Sequence, residues 1–443
     1  MSLEKKVLLI NCRSPYLDDS KIYVPLANLY LKSYVEEHSS HQVFLGDDGY
    51  DLNCMETFEP YDIIGLSVMT PQRQEALNLL GMIKLFHPTK KVVIGGPHVK
   101  YYLSDLLNQG WDHIVNLDGE RALLKILNGE ASRIVSDVMT KQDILDQPRP
   151  DRSSYEAKKM IKNYHYRLGN RNATTMMVAR GCPEKCTFCE DRMTAVKWSS
   201  IENIRAELDD INNLGYGGVY IFDDIFAIAM PKVRPICEEL AKRDLSYRCN
   251  GQVRYFTKWG EDFALMLAST GCREIAFGFE TGSQKILDNV MKGTSVKQNY
   301  LAVQYAKKFG LKVKGFMMIG LPGESMKTIE ETETFIRESG MDDFQLAIYY
   351  PYKGTKIRDD IDAGMSDVNL SFLGEGLGAY GQKGGSTECV ISVGELSSAD
   401  LLRERDRIVK FYKPKSHEEK WKDKFFETYL KDREVEGHFE GEF

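Results

Sequence analysis

Short apolar runs alternate with amphipathic stretches through the first third of the chain. The runs are rich in Val, Ile and Leu and predict strands at residues 7–10, 42–45, 62–67, 92–96 and 112–116. The helical spacing of apolar positions between them predicts helices at residues 25–37, 72–86, 100–109 and 120–128. Because buried strands separated by helices are typical of parallel sheets, we predict a doubly wound, Rossmann-like α/β domain over residues 1–135.

The same alternation returns in the second half as one longer series. Six strands are predicted at residues 175–178, 218–222, 246–250, 274–279, 313–319 and 344–349. Helices are predicted at residues 200–214, 233–243, 262–270, 296–309 and 326–339. This series predicts a partial (β/α)6 barrel over residues 173–360. Barrel enzymes gather their active-site residues at the carboxyl ends of the strands.

The predicted barrel is flanked by a linker and a C-terminal region. The linker, residues 136–172, contains the proline-broken run 147–151, which predicts an extended connector. Residues 361–443 predict a small, mostly helical region with a glycine-rich loop at 374–385 and charged helices at 399–412 and 417–430. The loop contains a formal G-x-G-x-x-G, but no predicted strand leads into it, so dinucleotide binding is a poor interpretation.

Composition limits the class of protein. A length of 443 residues predicts two or three domains, and a hydrophobic content of 42% allows large cores. The net charge of −7 is not that of a nucleic-acid-binding protein, so no nucleic-acid partner is expected. No apolar run reaches membrane-spanning length, and the first residues lead into a strand instead of a signal peptide. We therefore expect a cytoplasmic protein without a membrane span.

Three closely spaced cysteines carry the strongest chemical signal. Cys182, Cys186 and Cys189 have the spacing Cys-x3-Cys-x2-Cys and follow an apolar, strand-like stretch. Three thiolates on one loop can bind three irons of a cubane cluster, since iron–sulfur clusters are held by cysteine sulfur. The fourth iron is then open to a ligand that is not protein. The three cysteines are therefore predicted to be metal ligands at the catalytic centre.

Two other interpretations of these cysteines are weaker. A zinc site pairs Cys-x2-4-Cys with a second Cys or His pair, and here no Cys or His follows Cys189 before Cys237. Disulfides are not expected, because nine cysteines are scattered along a chain that has no secretory signal. The iron–sulfur interpretation is therefore favoured.

The cysteine spacing, with the aromatic Phe188 before the third cysteine, resembles that of the radical S-adenosylmethionine (SAM) enzymes. The resemblance extends over about residues 174–357. It implies a 4Fe–4S cluster on the three cysteines, with SAM chelating the open iron. It also implies SAM-binding roles for Phe188 and for residues at successive strand ends, namely Asp223, Asp224, Arg254, Glu280, Ile319 and Gly320.

The roles that the resemblance implies differ among these residues. Asp223-Asp224 replaces a Gly-Gly-Glu-like segment that meets the amino group of SAM, and Arg254 would neutralise the SAM carboxylate. Glu280 matches an acid near the ribose or amine, and Ile319-Gly320 begins a loop that lets backbone approach the adenine. Taken alone, the aspartates would more often cap a strand end and the arginine would more often form a surface ion pair. Lys353 departs from the family pattern, because it replaces the second proline of a Pro-x-Pro-Gly-Thr motif.

The front domain resembles the cobalamin-binding domain that precedes the barrel in many radical SAM enzymes, including the class B methyltransferases. The match rests on segments 65–70, 95–98 and 118–120. It implies cobalamin-binding roles for Cys12, Arg13, Ser67, Val68, Met69, Thr70, Gly95, Gly96, Pro97, His98, Asp118, Gly119 and Glu120. The Asp-x-His-x-x-Gly motif that supplies a cobalt-ligating histidine elsewhere is absent, and His98 is expected to be a hydrogen-bonding loop residue. The alternative is a domain that binds nothing or another nucleotide.

Together, these resemblances imply a cobalamin-dependent radical SAM enzyme. Reduction of the cluster would cleave SAM into methionine and a 5′-deoxyadenosyl radical, and methylcobalamin would methylate an unactivated carbon or phosphorus. The alternatives are a rearrangement, cyclisation or oxidation with the same cofactors, a radical SAM enzyme with an empty front domain, and an iron–sulfur electron carrier. The implied partners are a small-molecule or peptide substrate and an electron donor such as flavodoxin or ferredoxin.

Overall fold

The computed structural model describes residues 4–13, 22–46, 55–154, 158, 161–162, 166–371 and 389–414. The predicted glycine-rich loop at 374–385 and the predicted helix at 417–430 lie outside the described residues. Within the described residues, no helix has both the length and the apolar character that a membrane span requires.

A six-stranded sheet covered by helices forms the N-terminal part of the molecule. Its strands are β1 (Lys6–Asn11), β2 (Gln42–Gly46), β3 (Ile63–Ser67), β4 (Lys91–Gly95), β5 (His113–Leu117) and β6 (Ile134–Asp137). Its helices are α1 (Leu26–His38), α2 (Arg73–Phe86), α3 (Pro97–Leu106), α4 (Glu120–Asn128) and α5 (Lys141–Leu145). Two short 3-10 helices lie at Met55–Phe58 and Thr70–Gln72.

This sheet is parallel throughout, in the order β2-β1-β3-β4-β5-β6. Val7 on β1 lies opposite Val43 on β2 and Ile63 on β3, so the chain changes its winding direction beside β1. Leu8 and Leu9 enter separate hydrophobic cores, because successive side chains of a strand point to opposite faces. The predicted doubly wound domain is confirmed, and ligands of such sheets bind beyond the carboxyl ends of the strands.

The second sheet forms a half-barrel. The strands that follow in the chain are β7 (Arg167–Leu168), β8 (Arg171–Met176), β9 (Ala179–Arg180), β10 (Lys197–Trp198), β11 (Gly218–Ile221), β12 (Ser246–Gly251), β13 (Cys272–Glu280), β14 (Lys312–Ile319) and β15 (Asp343–Ile348). The helices are α6 (Ile201–Asn213), α7 (Met230–Lys242), α8 (Val253–Ser269), α9 (Gln284–Asn289), α10 (Val296–Lys308), α11 (Met326–Glu338) and α12 (Lys356–Asp362). The order is β15-β14-β13-β12-β11-β8-β7, in which only β7 is antiparallel to its neighbour. The predicted partial barrel is confirmed.

The two faces of the half-barrel differ in burial. On β14, Val313 and Ile319 are fully buried in the core that includes the helices, whereas Phe316 and Met318 on the other face are only half-buried. β15 alternates in the same way. Strand side chains alternate with a period of two, so the buried set faces the helices and the half-buried set faces the concave side. The concave side is therefore open to a ligand.

Three helices begin three or more residues earlier than the hydrophobic pattern predicts, and one of them is α7, which begins at Met230 instead of residue 233. α3 begins at Pro97 instead of residue 100, because Gly96 turns the chain at φ 95° and proline suits the first helical position. A Cβ at Gly96 would lie 2.8 Å from the backbone N and O of Val68, so the turn requires glycine. α8 begins nine residues before the predicted start at 262 and is kinked at Gly260, where φ is 60° and ψ is −144°.

The segment between the two sheets is anchored to the half-barrel by arginines. The Arg152 guanidinium is fully buried, lies 2.7 Å from Glu207 on α6 and donates to the Thr175 carbonyl oxygen at 2.6 Å. Arg149 lies 2.7 Å from Asp210 on the same helix. β6 extends past residue 135, where the first domain was predicted to end, and α5 follows in the predicted linker. The domain boundaries themselves stay a prediction.

A small C-terminal unit packs against the end of β14. It comprises the antiparallel pair β16 (Val368–Leu370) and β17 (Ile391–Val393), followed by α13 (Ser398–Tyr412). α13 confirms the helix predicted at 399–412, whereas the strand pair is not predicted from the sequence. The buried Cys389 donates its S–H to the Ile391 carbonyl oxygen at 3.2 Å.

Candidate active site

The loop that carries the three cysteines is closed at its base by a short ladder. β9 pairs with the antiparallel β10, so residues 181–196 form a loop between them. The Cys182 N–H donates to Thr194 Oγ1 at 2.7 Å, and the Cys182 carbonyl oxygen accepts from the Thr194 N–H at 2.9 Å. Gly181 has φ 103°, and a Cβ there would lie 2.5 Å from the backbone oxygen of Ala195. Only glycine fits immediately before Cys182, which fixes the start of the loop.

The three thiols lie on this one loop and are free of disulfides. Cys186 is buried, and Cys182 and Cys189 are half-buried. Burial raises the pKa of Cys182 to about 11 and that of Cys189 to about 12. Metal coordination deprotonates such thiols, so iron would stabilise the thiolates that burial disfavours. Among the described residues, no three His, Cys, Asp or Glu side chains converge as ligands of one metal ion. A cubane does not need such convergence, since each cysteine binds a different iron.

A buried cation lies beside the cysteine loop. Lys292 Nζ is 2.7 Å from Glu280 Oε1 and 5.8 Å from the centre of the Phe188 ring. Burial disfavours the charged form of Lys292, but the Glu280 carboxylate raises its pKa above the ordinary value. Burial raises the pKa of Cys186, and the positive charge of Lys292 works against that rise. Glu280, predicted to contact SAM, thus holds a positive charge close to the thiols.

Glu184 connects the cysteine loop to the end of β12. Its Oε1 lies 2.6 Å from the Arg254 guanidinium, and its Oε2 accepts from Gln252 Nε2 at 3.3 Å. On another side of the loop, the Thr187 N–H donates to the Val290 carbonyl oxygen at 3.0 Å. Arg254, predicted to neutralise the SAM carboxylate, is therefore paired with a carboxylate of the loop. Its side chain is still 44% exposed, which leaves part of the guanidinium accessible.

The two aspartates after β11 hold the backbone that enters the cysteine loop. Asp223 Oδ1 accepts from the Val178 N–H at 2.8 Å, and Asp224 Oδ2 accepts from the Gly181 N–H at 3.0 Å. Burial raises the pKa of both carboxyl groups. Asp223 Oδ2 is buried and has no hydrogen-bond partner among the described residues. Contact of both aspartates with SAM stays a prediction.

The predicted adenine-binding backbone lies in the turn after β14. Ile319 is fully buried, and the Gly320 N–H donates to Glu324 Oε2 at 3.1 Å. A Cβ at Gly320 would lie 2.9 Å from Ile391 Cδ1, so the C-terminal unit covers one side of this turn. The backbone can approach a ligand only from the remaining side.

Replacement of Asp223 tests its role in the loop. We expect Asp223→Ala to lower the iron bound per chain after anaerobic reconstitution, because the Val178 N–H loses its buried acceptor. A buried donor without an acceptor destabilises the folded loop by about 1–3 kcal/mol. Asp223→Asn keeps an acceptor oxygen and is expected to retain more iron than the alanine variant. Equal iron contents in the unaltered protein and Asp223→Ala would show that the loop does not depend on this carboxylate.

A cavity of about 460 Å³ lies between the front sheet and the cysteine loop. The front domain contributes α1 and the carboxyl ends of β3, β4 and β5, which is where the topology predicts a ligand. The half-barrel contributes Met177, Arg180, Gly181, Asp191 and Asp224, among others. One cavity thus contacts both the front domain and the start of the cysteine loop.

The structure separates the predicted cobalamin-binding residues into two groups. Those that line the cavity are Ser67, Gly95, Gly96, Pro97, Asp118, Gly119 and Glu120. Those that are not among its lining residues are Cys12, Arg13, Val68, Met69, Thr70 and His98. His98 is buried, stacks on Tyr102 with ring centres 4.6 Å apart and has Nδ1 3.3 Å from Thr70 Oγ1. It is a hydrogen-bonding residue, as expected, while cobalamin binding by either group stays a prediction.

Sequence reasoning missed two contributors to the cavity. The first is α1, which lines it with Ala27, Asn28, Tyr30 and Leu31. The second is Arg180, whose guanidinium lies 2.8 Å from Glu120, donates to Gln147 Oε1 at 3.0 Å and lies 5.4 Å from the centre of the Tyr30 ring. Arg180 stands two residues before Cys182, so its position was a usable signal, whereas nothing local indicates which face of α1 meets the cavity.

A protein-family model described as the radical SAM superfamily matches residues 176–336. The matched segment contains all three cysteines and runs from the end of β8 to α11. The chain therefore contains a radical SAM domain. The cysteine loop lies within this matched segment, and its assignment as the site of a 4Fe–4S cluster and SAM stays a prediction.

Relatives and solved structures resemble most of this chain. An uncharacterized methyltransferase of Pyrococcus horikoshii is 27% identical over 363 residues, which cover 75% of this chain and 77% of that protein. The cobalamin-dependent SAM radical enzyme OxsB, solved with aqua-cobalamin and SAM, has a TM-score of 0.66 at 20% identity, covering 82% of this chain and 56% of OxsB. The radical SAM methyltransferase TsrM of Kitasatospora setae, solved with cobalamin and a cluster, has a TM-score of 0.70 at 15% identity, covering 84% and 82%. The radical SAM enzyme thus shares the fold of both proteins, although it spans little more than half of OxsB.

Proposed function

We propose that this radical SAM enzyme depends on cobalamin and methylates an unactivated carbon or phosphorus centre. The observation that carries the proposal is the cavity of about 460 Å³, which joins the carboxyl edge of the front sheet to the start of the cysteine loop. Two cofactors that act on one substrate require sites that face each other. Asp224 and Gly181 line the cavity from the cluster side, and Ser67 and Gly119 line it from the front domain.

The cavity wall fits a large and flat ligand with polar groups at its edge. A Cβ at Gly65 would lie 2.7 Å from Leu9 Cδ2, and one at Gly119 would lie 2.9 Å from Leu31 Cδ2, so both glycines allow these two cavity-lining leucines to pack against the backbone. Ser67, Asp118 and Glu120 supply polar groups along the same edge. In this proposal the lining residues hold cobalamin and the three cysteines hold the cluster. When bound, the cluster and SAM supply radical chemistry and cobalamin supplies the methyl group.

Residues of the chain hold the front domain against the cysteine loop. Arg180 pairs with Glu120 at 2.8 Å, and the Tyr30 hydroxyl donates to the Met177 carbonyl oxygen at 3.1 Å. The Tyr101 hydroxyl donates to the carbonyl oxygen of Glu190, the residue after Cys189, at 2.7 Å. These contacts join the two parts around the cavity. They would fix the distance between the bound cofactors and limit the entry of water.

The names of similar proteins support the proposal. The Pyrococcus relative is named a methyltransferase, and both solved structures are described with cobalamin bound. The half-buried Phe316 and Met318 on the concave face of the half-barrel leave room for a substrate, which we propose is a small molecule or a peptide. We further propose an electron donor such as flavodoxin or ferredoxin, because the cluster must receive an electron before it reacts with SAM.

The proposal is tested by following the methyl group of SAM. The reconstituted protein is incubated anaerobically with hydroxocobalamin, a reductant and SAM labelled in its methyl group, and the bound corrinoid is then isolated. We expect label in the corrinoid fraction. Cleavage of SAM to 5′-deoxyadenosine without label in a retained corrinoid would contradict methyl transfer and favour the rearrangement, cyclisation or oxidation chemistry.

The positive charge of Lys292 is expected to raise the midpoint potential of the cluster. Removing a positive charge near an iron–sulfur cluster disfavours the extra electron, since net charge helps to set the potential. We expect Lys292→Met to lower the midpoint potential of the cluster by on the order of 60 mV, a tenfold change for a one-electron couple. The measurement is an anaerobic redox titration followed by electron paramagnetic resonance.

A double variant controls for the partner of Lys292. Lys292→Met combined with Glu280→Gln removes both charges of the 2.7 Å pair. We expect the midpoint potential of the cluster in this double variant to return most of the way to that of the unaltered protein. Identical potentials in the unaltered protein and the single variant would show that the lysine charge does not act on the cluster.

A further inference from the structure

Asn28 is an anomalous residue in the wall of the cavity. It lies in the first turn of α1, between Ala27 and Leu29, and it lines the cavity with Ala27, Tyr30 and Leu31. The residue is only 1% exposed, yet neither its Oδ1 nor its Nδ2 has a hydrogen-bond partner in the part of the chain that the structure describes. Among the described residues that line the cavity, it alone has buried side-chain polar atoms without a partner.

An unpaired buried amide is unfavourable in the folded chain. Buried polar groups in native proteins are nearly always hydrogen-bonded, and exceptions need an explanation. A leucine at position 28 would fill similar space without this cost, and Leu26, Leu29 and Leu31 already surround it in the helix. The asparagine therefore gives no advantage to the isolated fold. A bound molecule that supplies the missing partners accounts for it.

The missing partners describe the chemistry of that molecule. Nδ2 is a donor and needs an acceptor, while Oδ1 is an acceptor and needs a donor. A phosphate without a proton offers only acceptors and would leave Oδ1 unpaired. A primary carboxamide presents a donor and an acceptor side by side, so it can pair with both atoms of the asparagine once its side chain turns toward the cavity. The rim of a corrin ring carries several carboxamides.

We propose that Asn28 binds a carboxamide on the rim of the corrin ring in this cavity. The assignment rests on the proposed function, because it takes cobalamin to be the ligand. It makes Asn28 a residue for corrinoid affinity and orientation, with no part in holding the cluster. Asn28 is separated in sequence from all of the segments on which the cobalamin resemblance rests.

The test compares two corrinoids and measures binding instead of turnover. Hydroxocobalamin and cobinamide both carry carboxamides on the ring, but cobinamide lacks the nucleotide tail. For Asn28→Leu we expect the dissociation constants of both to rise about tenfold or more, since a ligand amide loses its partner. Without corrinoid, we expect the thermal midpoint of the same variant to stay equal or to rise, because no bond within the chain is lost.

Two controls test whether a change in corrinoid affinity is specific to Asn28. Asn78→Leu alters an exposed asparagine on α2, where Asn78 Oδ1 accepts from Gln74 Nε2 at 3.1 Å, and it is expected to change neither dissociation constant. Iron content after reconstitution is expected to be the same in all variants.

Three results would overturn the assignment. Unchanged affinity of Asn28→Leu for both corrinoids would show that the amide does not contact the ligand. A loss confined to hydroxocobalamin would assign Asn28 to the nucleotide tail instead of the ring. If the unaltered protein retained neither corrinoid while holding its cluster, the proposed function itself would fail, and the assignment with it.

Discussion

Cys186→Ala is expected to abolish the visible absorption of the reconstituted cluster and the reductive cleavage of SAM. Cys186 is the buried member of the three cysteines, and the positive charge of Lys292 favours its thiolate. With two cysteines left on the loop, one iron of the cubane loses its protein ligand, and the open iron that SAM requires is no longer defined. Iron per chain and the yield of 5′-deoxyadenosine measure the two effects.

Cys389→Ser is the matched control for this experiment. Cys389 is also a free, buried thiol, but it lies in the C-terminal unit and donates to the Ile391 carbonyl oxygen, which serine can also do. We expect this variant to keep its iron and to cleave SAM. An unchanged spectrum and iron content in Cys186→Ala would contradict the assignment of the cysteine loop as the cluster site.

Of the variants described above and below, Arg152→Met is expected to lower the free energy of unfolding the most. The change leaves Glu207, which is 3% exposed, without the cation at 2.7 Å, and it also removes the donor to the Thr175 carbonyl oxygen. Breaking a buried ion pair by removing one partner costs about 3–5 kcal/mol, because an uncompensated charge stays buried. The loss is measured as a lower urea midpoint of the half-barrel, followed by circular dichroism.

A second substitution tests the reason for this loss. Arg152→Met combined with Glu207→Leu removes both charges, and apolar replacement of a whole buried pair is often nearly neutral. We expect the double variant to recover much of the lost stability, with the remainder set by the unpaired Thr175 oxygen. A double variant less stable than Arg152→Met would contradict the charge argument.

Local patterns in the sequence contain most of the information about the fold and about the cluster loop. Apolar runs such as 92–96 predict strands because both faces of a parallel sheet are buried, and they agree closely with the observed β4 at Lys91–Gly95. The cysteine spacing is visible because all three ligands lie on one loop. β6 was missed because Ile134–Asp137 is short and exposes alternate residues, which gives a weak apolar signal.

Contacts between distant parts of the chain could not be predicted in the same way. Asp223 was recognised as a strand-end carboxylate, but its bond to the Val178 N–H depends on how β11 pairs with β8. His98 belongs to a recognisable loop motif, yet its ring stacks on Tyr102 and does not line the cavity. Asn28 carries no local signal, because its unpaired amide is evident only when its neighbours in space are known.

The departure at Lys353 also has an explanation in the contact between the two parts. Lys353 Nζ lies 3.1 Å from Asp105 and 4.9 Å from the centre of the Tyr102 ring, both on α3 of the front domain. Gly354 follows directly, and the Tyr101 ring occupies the space that a Cβ at Gly354 would need. The motif after β15 is thus adapted to the front domain, although an exposed ion pair of this kind contributes only about 0–1 kcal/mol.

The most direct test of the account is one anaerobic experiment on the full chain. The cluster is reconstituted, hydroxocobalamin is added, unbound corrinoid is removed by gel filtration, and dithionite and SAM are then supplied. The account predicts that the protein fraction keeps the corrinoid spectrum and forms 5′-deoxyadenosine. A protein that holds its full iron but retains no corrinoid and leaves SAM intact would contradict it.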